Sequence, residues 1–133
     1  MTNIKLAGSR FTNLKAERKP DFSGKLEMKT NISINSLEKH KDAKDTLKLT
    51  YTFEIDYLEL GKVSIEGIIF LSGDSKSIKE LLKIQKDKKY ESPEYIGLTN
   101  IIIQKASIKA FELEEELGLP IHIKLPTISV KQQ

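Results

Sequence analysis

Gly67, Gly73, Lys76 and Ser77 fall within "GIIFLSGDSKS", residues 67 to 77, and their types are those of a phosphate-cradling loop. In such a loop glycines let backbone N–H groups approach a nucleotide, while a lysine and a hydroxyl serve its phosphates and metal. The spacing does not fit. Asp74 stands where that chemistry needs the lysine, and Ile68 to Leu71, between the glycines, favour a strand. Metal chemistry is no better served. His40 lies in a charged loop and His122 between Ile121 and Ile123, neither with a ligand partner at nearby spacing. Solvent is the expected place for His40, and the outward side of an edge strand for His122. The chain has no cysteine, which excludes thiolate ligation, a thiol nucleophile and a disulfide framework. Glu112, Glu114, Glu115 and Glu116 are acids that could move protons, but on neighbouring helical positions they spread around a helix toward solvent. Lys109 is placed to pair with Glu112, and lysines of a neighbouring subunit would offset the others. No Gly-x-Ser-x-Gly turn supports a serine triad. The sequence thus offers no catalytic constellation, no metal site and no cofactor site.

Charge narrows the partners. The formal net charge is +3 with 31% charged residues, so both signs are dense and neither dominates. Arginine occurs only at Arg10 and Arg18, and the densest basic run, "KIQKDKK" at 83 to 89, reads as the solvated C-terminal end of a helix. Nucleic-acid binding is not expected, because it wants clustered cations interleaved with exposed aromatics. The opening "MTNIKLAGSRF" lacks a signal-peptide pattern, and no apolar run approaches the ~18 residues of a membrane span. A cytoplasmic protein without membrane insertion is expected, its 133 residues forming one domain, 1–133.

The elements that would carry any site come from hydrophobic period. Leu26, Met28, Ile32 and Ile34 share one parity, and Leu47, Leu49, Tyr51, Phe53, Ile55 and Tyr57 share another, so both segments read as half-buried strands. The charged loop "EKHKDAKD" separates them, and Gly61 offers a turn to a fourth strand. An earlier strand spans roughly residues 3 to 17, with a bulge expected where parity breaks around Ala7, Gly8 and Ser9. After Gly73 the period becomes helical. Ile78, Leu81, Leu82 and Gln85 share a face of a short helix capped by Asp74 or Ser77. A second helix starts at Ser92 with Pro93 in its first turn and stops at Gly118; about 25 residues make it ~37 Å long. Its expected core stripe is Thr99, Ile102, Ile103, Ala106, Ala110, Leu113 and Leu117. The tail "LPIHIKLPTISV" alternates Ile121, Ile123 and Leu125 as an edge strand or extended strap. The fold class is therefore α+β: a four-stranded antiparallel sheet followed by a short and a long helix packed on one face.

Two places carry more apolar surface than these layers cover. Ile68, Ile69, Phe70 and Leu71 run consecutively, so both faces of the fourth strand are apolar. Ile96, Leu98, Ile101, Ile108 and Phe111 lie outside the helix stripe. Such a surplus marks a binding or assembly surface.

Order and two stretches resemble the SecB export chaperones and their divergent SecB-like relatives. "VSIEGIIFLSG" is similar to that family's strand ending in Gly-Ile-Phe-x-Ile before its first helix. "TNIIIQKASIKAFELEEELGLPIHIKLPTISV" resembles its long helix, with Asn100-Ile101-Ile102 near the start, Ala106, the helix-ending Gly118, and a following Leu125-Pro126. The resemblance implies the SecB-like fold and an ATP-independent holdase that binds unfolded or non-native polypeptides in apolar grooves. It also implies a homo-oligomer, a tetramer built as a dimer of dimers. One departure bears on export. The family's acidic sheet surface contacts the translocase motor ATPase, whereas here Lys25, Glu27, Lys29, Lys48, Glu54 and Asp56 mix on the polar faces, which argues against a handoff to that motor.

On this reading Ile68, Phe70, Ile101, Ile108 and Phe111 line the polypeptide groove, with Tyr95 and Phe11 beside them. The alternative is a non-catalytic oligomeric adaptor or assembly module whose apolar surface is buried between subunits. A pocket for a small apolar ligand ranks third, and an enzyme last.

Overall fold

A computed structural model describes residues 4–22 and 24–123. Six elements follow one another: β1 (Ile4–Arg18), β2 (Lys29–Lys39), β3 (Thr46–Asp56), β4 (Gly61–Gly73), α1 (Ser75–Lys86) and α2 (Pro93–Leu117). The strands form one antiparallel sheet in the order β1-β4-β3-β2. β2, β3 and β4 are joined as hairpins, while β1 pairs with β4 and, among the described residues, has no strand on its other edge. The fold is the α+β arrangement of a four-stranded antiparallel sheet followed by two helices.

β3 shows why the sheet has an inside. Leu47, Leu49, Tyr51, Phe53 and Ile55 are buried while the intervening polar residues are half-buried, so one face meets the helices. Val63, Ile65, Ile69 and Leu71 of β4 share that face, against Leu98, Ile102, Ala106 and Ala110 of α2 and Ile78 and Leu81 of α1. Each of the larger side chains contributes about 1.5–3 kcal/mol through removal from water.

The helix ends are set by short-range chemistry. Asp74 accepts the Ser77 N–H at 2.7 Å to start α1, and Ser92 accepts the Tyr95 N–H at 3.2 Å to start α2, with Pro93 following. α2 stops at Gly118, which takes the left-handed conformation at φ 66°, and Leu119 N–H reaches back to the Glu114 carbonyl at 2.9 Å.

Several boundaries differ from the periodicity. Leu26 and Met28 precede β2 and are exposed, and β2 continues to Lys39 because a bulge between Ile34 and Ser36 returns Leu37 to the inner face. The β3–β4 turn is made by Leu58, at φ 60°, with its N–H held by Asp56 Oδ1 at 2.8 Å. Gly61 opens β4 instead, where a Cβ would collide with the Glu17 carbonyl of β1. The core stripe of α2 advances by four residues, Leu98, Ile102, Ala106, Ala110 and Glu114, so Leu98 is buried while Ile103 is 38% exposed. Residues 121–123 form no strand. Leu125 and Pro126 lie outside the described residues.

Candidate functional site

β1 shapes the surface in question. Ile4 and Leu6 pair with Gly73 and Leu71, a register shift at Ala7 follows, Ser9 and Phe11 pair with Ile69 and Gly67, and a second shift at Thr12 leads to Leu14 and Ala16 opposite Ile65 and Val63. Each bulge exchanges the strand's faces. The result keeps Leu6, Phe11 and Leu14 all on the helix side, although their numbers change parity between Leu6 and Phe11 and again before Leu14. Helix α2 packs against β1 as well as against β3 and β4, yet these three side chains remain 42%, 38% and 41% exposed. They form an apolar shelf beside α2, roughly 25 Å long at ~3.3 Å per residue. Lys109 of α2 sets its wall, with the ammonium 5.9 Å from the Phe11 ring centroid.

The seven residues singled out from the sequence do not share one surface. Phe11 lies on this shelf. Ile101 is half-buried against the core, Phe111 is half-buried, and Ile108 is 68% exposed on α2. Tyr95 is half-buried and meets Tyr90 edge-on at 4.9 Å; burial, and then Tyr90, push its hydroxyl pKa up. Ile68 and Phe70 point the other way. They pair across with Thr50 and Lys48 of β3 and with Arg10 and Gly8 of β1, on the face that the helices leave bare. Thus no single groove of this chain holds Phe11 together with Phe70. Leu14 was missed because the Thr12 bulge hides from a parity count the side that it shares with Phe11.

The outer face has its own cluster. The Arg10 guanidinium lies 5.2 Å from the Phe70 ring centroid, and the His40 ring stacks on Phe70 at 5.2 Å and 27°. His40 is therefore half-buried, not free in solvent.

A third cluster lies inside. Glu114 is fully buried; it accepts the Tyr57 hydroxyl proton at Oε2, and its Oε1 is 2.7 Å from His122 Nδ1. His122 turns inward with its side chain 6% exposed and meets Phe53 edge-on at 5.8 Å. The expectations of a solvated Glu114 and an outward His122 fail together, because each supplies what the other needs to be buried. Burial, reinforced by Glu114, pushes the Tyr57 pKa up, so the phenol stays neutral and donates. The exposed Glu112 pairs with Lys109 at 2.7 Å. Among the described residues no group of three or more His, Asp or Glu side chains could hold a metal ion, and no helix is long and apolar enough to cross a membrane.

No protein-family model and no curated protein sequence matches the chain. Its structure is similar to that of the SecB-like chaperone of Mycobacterium tuberculosis, solved in complex with a ChAD peptide from the HigA1 antitoxin. The two superpose with a TM-score of 0.60 over 96% of this chain and 91% of that one, at 11% sequence identity. The likeness is one of fold.

Proposed function

We propose that this chain is an ATP-independent holdase that takes extended, non-native polypeptide along the shelf between β1 and α2. The observation that carries this reading is the exposure of Leu6, Phe11 and Leu14 on the helix-facing side of the sheet. Apolar side chains of a client cover them, while Lys109 and Glu112 at the wall keep the complex solvated. The similar fold of a chaperone solved with a peptide supports the same reading. Capture of this kind uses no nucleotide.

The oligomer belongs to the proposal. Ile96, Ile103 and Ile108 are 50%, 38% and 68% exposed along α2, and among the described residues no strand pairs with the outer edge of the 15-residue β1. Both are suited to self-association, and a dimer of dimers would use the edge and the helix in turn. A contact with a translocase motor through an acidic sheet surface is not supported, since Lys48, Lys62, Glu54 and Glu66 share the outer face.

The test is light scattering of an aggregating, chemically unfolded substrate without nucleotide. The wild-type protein suppresses the rise, and the Phe11→Ser/Leu14→Ser double variant does not. Unchanged scattering with the wild-type protein favours the second reading, an adaptor whose α2 isoleucines are permanently covered between subunits. Sedimentation analysis gives the subunit number in either case.

A further inference from the structure

The outer face of the sheet, opposite the shelf, carries a cluster that client capture does not use. Arg10 and His40 both approach Phe70 within 5.2 Å of its ring centroid. Arg10 reaches Phe70 only because the Ala7 bulge turns it outward; continued from Leu6 without interruption, its parity would face the helices. Three features make the cluster a recognition site. Phe70 is a half-buried aromatic on a solvent face, where strands ordinarily present polar residues. His40 Nδ1 accepts the Asp42 N–H at 3.1 Å, so the neutral ring carries its proton on Nε2 and offers a donor there. A depression of about 590 Å³ opens beside the ring, with Gly8, Arg10, His40, Ala43 and Thr46 around it and no carboxylate among the described residues of its lining. Lys48 stands next to Phe70 on β3, and Lys5 lies further along β1 opposite Ser72.

We propose that this site binds an acidic peptide segment, with carboxylates on Arg10, His40 and Lys48 and an apolar side chain against Phe70. The guanidinium offers a forked pair of donors to a carboxylate, a stronger and more directional contact than an ammonium makes. A nucleic-acid backbone fits less well. It needs a continuous track of cations, whereas here Glu38 sits across from Lys48, and Asp42 and Asp45 stand in the adjoining loop.

The experiment is fluorescence anisotropy with a short labelled peptide of glutamate and leucine, set against the same peptide with glutamine for glutamate. The glutamate peptide binds, and the glutamine peptide binds about tenfold or more weakly. Arg10→Gln and Phe70→Ala each weaken the glutamate peptide by about tenfold. Lys15→Gln, at the far end of the same face, and Phe11→Ser, on the opposite face, leave it unchanged. Circular dichroism confirms that each variant keeps its fold. Equal binding of the two peptides, an Arg10→Gln variant with wild-type affinity, or preferential binding of an oligothymidylate would each overturn the assignment. Loss of binding in Phe11→Ser alone would also overturn it, by moving the peptide to the shelf. Since the two sites lie on opposite faces, failure here leaves the holdase reading standing, and the reverse holds as well.

Discussion

Glu114→Ala takes the shared partner from two buried side chains at once. Tyr57 is 1% exposed and the His122 side chain 6%, so neither finds water when the carboxylate is gone. A buried polar group left unsatisfied costs about 1–3 kcal/mol, and two of them together with the small cavity come to roughly 3–5 kcal/mol. Against a typical domain stability of about 5–15 kcal/mol this is a large share. At this chain length a melting temperature falls by about 3–5 °C per kcal/mol, so the expected drop is about 10–20 °C. Thermal unfolding followed by circular dichroism, at fixed protein concentration so that assembly does not move the midpoint, measures it, and urea unfolding gives the free energy. Glu114→Gln keeps an acceptor for Tyr57 and an amide beside His122, and loses no more than about 1 kcal/mol. Tyr57→Phe reads the same bond from the other side and costs about 1–2 kcal/mol, which keeps the test alive should the alanine variant fail to fold. An alanine variant within about 0.5 kcal/mol of wild type, or alanine and glutamine equally costly, would refute the network's role.

Raised pH gives a second prediction. The Tyr57 pKa is higher in the folded state, so its contribution is complete below the unfolded value of ~10 and declines as pH rises beyond that point. Wild type loses about 1.4 kcal/mol more than Tyr57→Phe between pH 9 and pH 11, by urea titration at each pH; parallel losses in the two proteins contradict it. Gly67→Ala sets a Cβ 2.5 Å from the Tyr51 hydroxyl and 2.6 Å from its Cζ. Overpacking of about 1–3 kcal/mol, less ~0.5–1 kcal/mol for removing a strand glycine, leaves a net loss that Tyr51→Leu in the same chain recovers in part. A Gly67→Ala protein that melts at or above the wild-type temperature counts against that close approach. Phe11→Ser/Leu14→Ser abolishes suppression of aggregation yet costs less than the ~1.5–3 kcal/mol per residue of full burial, as both side chains are already partly in water. Global unfolding in that variant would mean that the shelf is core.

Much of this fold is legible from period alone. Leu47 to Tyr57 announces β3 because one face is sealed and the other is wet, and Ser92, Pro93 and Gly118 mark α2 because caps act through neighbours in the chain. What escapes is whatever depends on distant partners. Glu114 reads as solvated until Tyr57, 57 residues away, and His122 are seen to satisfy it. β1 lies beside β4, and no local signal in residues 4 to 18 specifies that neighbour. The apolar surplus in Ile68 and Phe70 is visible in the sequence, but which side they share with Phe11 is not, because the answer hangs on bulges at Ala7 and Thr12. The α2 stripe drifts for a related reason: a straight helix crossing a twisted sheet meets it along a slanting line, which promotes Leu98 and Glu114 over Thr99 and Ile103.

The paired bulges of β1 act like two frameshifts that cancel. Losing Ala7 would remove the extra residue itself, leaving Leu6 opposite Leu71 and Gly8 opposite Phe70 in an unbroken ladder. Losing Thr12 would likewise leave Phe11 opposite Gly67 on the helix side and Asn13 opposite Glu66 on the bare one. A single-residue deletion at a paired position such as Ser9 or Leu14 would instead exchange the sides that one half of the strand addresses, so the strand is intolerant of miscounting everywhere except at those two spare residues.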